Sequence, residues 1–109
     1  MLTVRLLSAV KKPRTGTPGS SAVEQGFDLR IQTSPGLGAF RVAAVWTGDG
    51  WRTVRHTECT LIEPRNDADI WTADVSFFST PILTFNYALA AAGAEGVSWD
   101  NNGGSNYVI

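Results

Sequence analysis

The feature that most constrains this chain is alternation. Phe27-Asp28-Leu29-Arg30-Ile31-Gln32 sends apolar side chains one way and polar side chains the other. A helix would scatter that pattern around its axis, whereas a strand with one buried face requires it. Residues 82–89 alternate again, and residues 2–10, 40–46 and 70–78 are apolar, β-branched or aromatic runs of strand length. Residues 51–61 carry a weaker signal for one strand or two, and Val108 with Ile109 reads as a last short strand. Turn signals separate these runs: a long Pro- and Gly-containing stretch over 11–26, then residues 34–38, 47–50 and 63–67. Residues 90–96 are rich in small side chains and read as a loop or one helical turn. No segment of helical period is long enough to cover a sheet. Short strands at regular spacing predict an all-β fold, an immunoglobulin-like antiparallel β-sandwich of about eight strands. The 109 residues read as a single domain without internal repeats.

Composition narrows the function classes. A hydrophobic fraction of 43% and a charged fraction of 17% are those of a globular chain. No apolar run approaches the roughly 20 residues that span a bilayer, and the N-terminus lacks the pattern of a signal peptide. Nine Lys and Arg against ten Asp and Glu leave a net charge of −1. That balance gives no general attraction to nucleic acid or to an anionic membrane. Arg5, Lys11, Lys12 and Arg14 read as a solvated strand end and loop. Cys59 is the only cysteine and has no partner for an internal disulfide. Trp46, Trp71, Phe27, Phe40, Phe77, Phe85 and Tyr87 lie on strand-like segments and are expected in the core.

The segment Trp99-Asp100-Asn101-Asn102-Gly103-Gly104-Ser105-Asn106-Tyr107 is different in kind. Its Asp, Asn and Gly residues all accept turn conformations, so it reads as a loop. Each Asn amide both donates and accepts, and so do neighbouring sugar hydroxyls. An Asn therefore bridges such hydroxyls without a charge that must be desolvated. The C–H face of a pyranose ring is apolar and slightly positive, and it suits the negative face of an indole. Trp beside amides is thus the composition of a sugar site. Tyr107, followed by Val108 and Ile109, is expected to pack inward. Val97 and Trp99 share one side of their strand, and alternation alone leaves open whether that side faces water.

This segment resembles the C-terminal signature of carbohydrate-binding module family 21, in which an aromatic precedes Asp-Asn-Asn and an Asn-Tyr pair follows. The family includes starch-binding domains of fungal glucoamylases and glycogen-targeting domains of protein phosphatase 1 regulatory subunits. Val45-Trp46-Thr47-Gly48-Asp49-Gly50-Trp51 resembles the family's aromatic-Thr-x-Asp-x-Trp segment, and Leu83-Thr84-Phe85-Asn86-Tyr87 resembles the strand before the signature. The resemblance is strongest over residues 27–109. It implies non-catalytic binding of α-glucans (starch, glycogen, maltooligosaccharides and cyclodextrin-like rings) by a monomer attached to a parent enzyme or phosphatase subunit. The implied site stacks sugar on Trp51 and Trp99 and finishes it with amides of Asn101 and Asn106. Asn86, or Thr84 in a shifted register, stands where some members have a third aromatic, and Gly103 stands where the third Asn is usual. The candidate carbohydrate-binding residues are therefore Trp51, Trp99, Asn101, Asn106, Asn86 and Asp100. The family's second site has only Leu37, Ile62 and Phe40 near it here, with Phe40 read as core, so that site is expected to be weak or absent.

Residues for chemistry are few. His56 and Cys59 are the only members of their kinds and fall on opposite faces of an extended segment. Neither a Cys–His nucleophile with its orienting group nor a zinc site is expected from them. A glycosidase needs two carboxylates astride the scissile bond. Asp49 and Asp100 lie in the right region, but each reads as a turn residue. No catalytic residue, cofactor or metal is expected. The alternative reading is an immunoglobulin-like protein-interaction or targeting domain with a weak or lost glucan site.

Overall fold

The alternating segments become strands of two antiparallel sheets. The computed structural model describes residues 2–16, 18–34, 39–64, 68–94 and 96–109. Its strands are β1 (Val4–Lys11), β2 (Val23–Thr33), β3 (Arg41–Thr47), β4 (Arg55–Glu58), β5 (Thr60–Pro64), β6 (Asp69–Ser79), β7 (Asn86–Gly93), β8 (Gly96–Asp100) and β9 (Tyr107–Val108). One sheet has the order β1-β2-β6-β5. The other has the order β4-β3-β7-β8, with β9 also pairing β7. The architecture is the immunoglobulin-like β-sandwich that the sequence predicts. Leu37 and its turn, and the loop residues Arg65, Asn66 and Asp67, lie outside the described residues.

The core fills the space between the sheets. Phe27, Leu29 and Ile31 of β2, with Trp71, Ala73 and Val75 of β6, face Val42, Ala44 and Trp46 of β3 and Tyr87, Leu89 and Ala91 of β7. Phe27 sits at the centre of an aromatic cluster, 5.0 Å from Phe85, 5.5 Å from Tyr87 and 5.8 Å from Trp46 between ring centroids. Each buried aromatic or branched side chain contributes about 1.5–3 kcal/mol of transfer energy. The buried polar atoms of this core find partners: Trp71 Nε1 donates to Thr33 Oγ1 at 2.9 Å, and Trp46 Nε1 donates to Thr57 Oγ1 at 3.0 Å. β2 and β6 approach so closely at Gly26 that a Cβ there would lie 1.8 Å from the Val75 carbonyl oxygen. Only glycine fits.

Four expectations change. Phe40 is 72% exposed instead of buried. It precedes β3, and its N–H donates to Ala92 O at 3.0 Å while its side chain lies beyond the end of the core. The 11–26 stretch is a loop only in part, because β2 begins at Val23 and Thr15 bridges to Glu24. Residues 82–85 are not a strand. The Ile82 N–H is taken by Gln25 Oε1 at 3.0 Å, which leaves it outside a sheet ladder. The strand runs instead through the alanines, from Asn86 to Gly93, where a loop or helical turn was expected. Alanine has low strand propensity, but β7 is paired along both edges, and that tertiary pairing overrides local preference. Of the adjacent phenylalanines, Phe77 packs against the core and Phe78 faces out.

Candidate functional site: an indole and amide depression on the five-stranded sheet

The turn after β3 presents Trp51. Thr47 is fully buried at the end of β3, and its hydroxyl organises the turn. Its Oγ1 donates to Asp49 Oδ1 at 2.8 Å and accepts from the N–H groups of Asp49 and Trp51 at 3.2 and 3.1 Å. Asp49 Oδ1 also accepts from the Thr53 N–H at 2.9 Å. These bonds hold the Asp49 carboxyl below its usual pKa, the Thr53 N–H first and the Thr47 hydroxyl second. Gly50 and Trp51 both take left-handed backbone, with φ of 71° and 70°. For a bulky residue such as Trp51 this costs about 1–2 kcal/mol. The hydrogen bonds around Thr47 hold it there, with the indole still 36% exposed.

The opposite wall comes from β8 and the loop after it. β8 inverts the usual rule of apolar inside and polar outside. Its inward residues are polar: Ser98 Oγ donates to Leu2 O at 2.7 Å, and Asp100 Oδ2 accepts from the Leu6 N–H at 2.9 Å. Both bonds tie β8 to the chain at β1 in the other sheet. Val97 and Trp99 consequently point outward, 59% and 56% exposed. Beyond Asp100 the chain makes a single 3-10 turn over Asn102–Gly104. Asn101 Oδ1 accepts from the Gly104 N–H at 3.1 Å, and Asn101 O accepts from the Asn106 N–H at 2.7 Å. Asn102 Nδ2 donates to Asn106 O at 3.2 Å. Asn102 and Asn106 have φ of 54° and 61°. With Trp51 they are the non-glycine residues of left-handed backbone among the described residues, and all three lie in the turn after β3 or the loop after β8.

These bonds use the loop's backbone, the Asn101 side-chain oxygen and the Asn102 side-chain nitrogen. The Asn101 Nδ2 and both ends of the Asn106 amide make no hydrogen bond among the described residues, so they are available to a ligand. Trp51, Trp99, Asn101 and Asn106 line one open depression of about 340 Å³, floored by Val45 of β3 and Ala88 of β7. Val45 and Ala88 are register partners, so the floor is the outer face of the sheet.

The remaining candidates fall elsewhere. Asn86 is on the same face as Ala88 but one pleat further along β7, outside the wall of the depression. Asp100 also lies outside it. Its two carboxylate oxygens are 2.8 and 2.7 Å from the Tyr107 hydroxyl, which donates to them, and Oδ1 also accepts from the Asn102 N–H at 3.3 Å. It is a junction between β1, the loop and β9. Tyr107 packs inward as expected, stacked on Tyr87 at 5.3 Å, and burial followed by the Asp100 carboxylate pushes its phenol up to about 12. Ile62 is partly exposed on β5, and Thr84 lines a separate hollow. That hollow is larger, about 430 Å³, and lies between the 48–55 turn region and residues 77–84. The Trp at its wall, Trp46, is 5% exposed and offers no open ring face.

Groups suited to chemistry are held apart. His56 is exposed on β4, while Cys59 is half-buried against the core, and burial pushes its thiol up to about 12. No group of three or more His, Cys, Asp or Glu suited to a metal ion occurs among the described residues. Val45 and Ala88 are the lining residues that the sequence reading missed. Their signal lies in register, since each is the outward neighbour of a buried aromatic, Trp46 and Tyr87 respectively.

No protein-family model matches the sequence, and no curated protein matches it. Among solved structures, the chain is similar to the carbohydrate-binding module of the muscle glycogen-targeting subunit of protein phosphatase-1, determined in solution. The TM-score is 0.54 at 17% sequence identity, over 92% of this chain and 73% of that one. The likeness shows the β-sandwich fold.

Proposed function

We propose that this chain is a non-catalytic carbohydrate-binding module that takes α-glucans such as starch, glycogen and maltooligosaccharides. One observation carries the reading. Two exposed indoles and two Asn side chains, from a turn and a loop nearly fifty residues apart in sequence, line the same open depression. The indoles supply ring faces for pyranose C–H groups, and the free amides supply paired donors and acceptors for hydroxyls. The floor brings no charge that a sugar would have to desolvate. The structural neighbour is itself a carbohydrate-binding module of a glycogen-targeting subunit, which supports both the ligand class and a parent protein as partner.

The chain is read as binding without turnover. The carboxylates nearest the depression, Asp49 and Asp100, are engaged by neighbouring N–H and O–H groups that set turn shape. The depression is open, and little surface is buried against a ligand, so binding to soluble glucan is expected to be weak. The test is a titration with β-cyclodextrin and maltoheptaose read by Trp fluorescence, joined to pull-down on insoluble starch. The parent protein binds, and Trp51→Ala and Trp99→Ala each lose most of the pull-down. Equal binding by both variants refutes the site. Incubation with maltooligosaccharides releases no new reducing ends, and their appearance refutes the non-catalytic reading.

A further inference from the structure

The depression has a neighbour on the same sheet face. A second hollow of about 290 Å³ shares Trp99 and Val45 with it and continues along β3 and β7. Cross-strand register fixes its plan. Val45 pairs Ala88, then Ala43 pairs Ala90, then Arg41 pairs Ala92. Across β7, Ala90 pairs Trp99 and Ala92 pairs Val97. The two central strands therefore form the floor and the two flanking strands form the walls. From Ala88 to Ala92 the floor runs about 13 Å at roughly 3.3 Å per residue, longer than one hexose ring.

We propose that this trough is an extension of the glucan site, in which the chain bound at Trp51 and Trp99 continues past Trp99 over the sheet. The inference rests on the glucan reading above and adds chain length to it. Trp99 belongs to both hollows, so its exposed indole sits at their junction. The outer wall, with Val97, is apolar and suits the C–H faces of sugar rings. The β4 wall is polar: His56 is exposed there, and Arg41 Nε donates to Glu58 Oε1 at 2.6 Å. That ion pair ties Arg41 to the β4 side, and the two groups shift each other's pKa toward the charged forms, Arg41 up and Glu58 down. A strip with one apolar and one hydrogen-bonding wall matches the two kinds of surface on a glucan chain.

The experiment is an NMR titration of the isotope-labelled protein with maltotriose and with maltoheptaose, joined to dissociation constants for both. Maltotriose is expected to shift signals of Trp51, Trp99, Asn101 and Asn106. Maltoheptaose is expected to shift Ala43, Ala92 and Val97 in addition, and to bind about tenfold more tightly, roughly 1.4 kcal/mol. Ala92→Leu, which raises the floor, reduces that advantage to what the greater number of binding registers alone provides. Should that variant fold poorly, Val97→Ser on an exposed side chain gives the same reading from the opposite wall. If both sugars shift the Trp51 and Trp99 signals and neither moves Ala92 or Val97, the trough is refuted and the glucan site stands. If neither sugar moves any signal at millimolar concentration, the glucan reading itself falls, and the extension with it.

Discussion

The outer faces of the two sheets are built from different materials. On the four-stranded sheet, Asp28 and Arg30 of β2 and Asp74 of β6 stand in water, and Lys12 lies 3.7 Å from Asp28 and also pairs with Asp74. On the five-stranded sheet, the centre of the outer face is Val45, Ala43, Ala88, Ala90 and Ala92, and the exposed side chains beside it on β8 are Val97 and Trp99. The first face needs no partner, because charged and polar groups outside an antiparallel sheet are the default. The second presents apolar side chains in a recess walled by larger ones, and that is the surface the proposed glucan site uses. The fold is common to both faces. The difference lies in which residues alternate outward.

The largest expected effect tests that difference directly. Trp99→Ala removes the ring shared by both hollows, and binding to insoluble starch is expected to fall by roughly 30-fold or more, about 2 kcal/mol. Asp74→Ala on the other face is expected to leave binding unchanged. A loss of binding in Asp74→Ala equal to that in Trp99→Ala would place the ligand on the wrong sheet.

The next effect is indirect. Thr47→Val keeps the shape of the side chain but deletes the hydroxyl that accepts from the Asp49 and Trp51 N–H groups. Loss of such hydrogen bonds costs about 1–3 kcal/mol. It also releases Trp51 from its left-handed backbone, so glucan affinity and thermal stability are expected to fall together. Unchanged affinity with reduced stability would show that Trp51 needs no preset orientation.

Much of this difference was legible in sequence, and the rest was not for identifiable reasons. Strand alternation is a local property, so β2, β3 and β6 could be read within a residue or two except where β2 starts. Trp99, Asn101 and Asn106 stand out because their side-chain types are those a sugar needs, whereas Trp51 enters only through the resemblance of residues 45–51 to a family segment. The convergence of a turn and a loop is a matter of sheet order, which no local pattern records. The alanine strand is not legible locally because its residues are poor strand formers and its pairing on both edges is tertiary. Alternation places Phe40 inward, yet the strand begins one residue later at the end of the core. Asp100 is a candidate by its place in the signature that the 99–107 segment resembles, and its bonds to Leu6 and Tyr107 are not legible locally because they form only when β1 and β9 arrive.

A smaller effect belongs to the charged face. Lys12 is partly exposed and its partners Asp28 and Asp74 are exposed, and surface pairs of this kind are worth about 0–1 kcal/mol. Lys12→Ala is expected to lower the thermal midpoint only slightly, and raising the salt concentration is expected to remove what difference exists. A large loss would show that the four-stranded face is held by its charges and not by the core beneath it.

The smallest effect is seen only in alkali. Burial pushes the Tyr87 and Tyr107 phenols up to about 12, and the Asp100 carboxylate adds to the shift at Tyr107. An unfolded tyrosine titrates near pH 10, about two units lower. The folded state thus favours the neutral phenol, and the sign follows. The stabilisation is complete below pH 10 and is lost as the pH rises through 12. An absorbance titration at tyrosinate wavelengths should stay flat through pH 10 and rise near 12. Tyr107→Phe should remove one of the two steps and loosen the 101–106 loop, which lowers glucan affinity modestly at neutral pH. The four-stranded face carries no tyrosine, so alkali in this range should disturb the trough side of the sandwich before the charged side. Amide exchange that accelerates first in β7, β8 and β9 would bear this out, and equal acceleration in β2 and β6 would count against it.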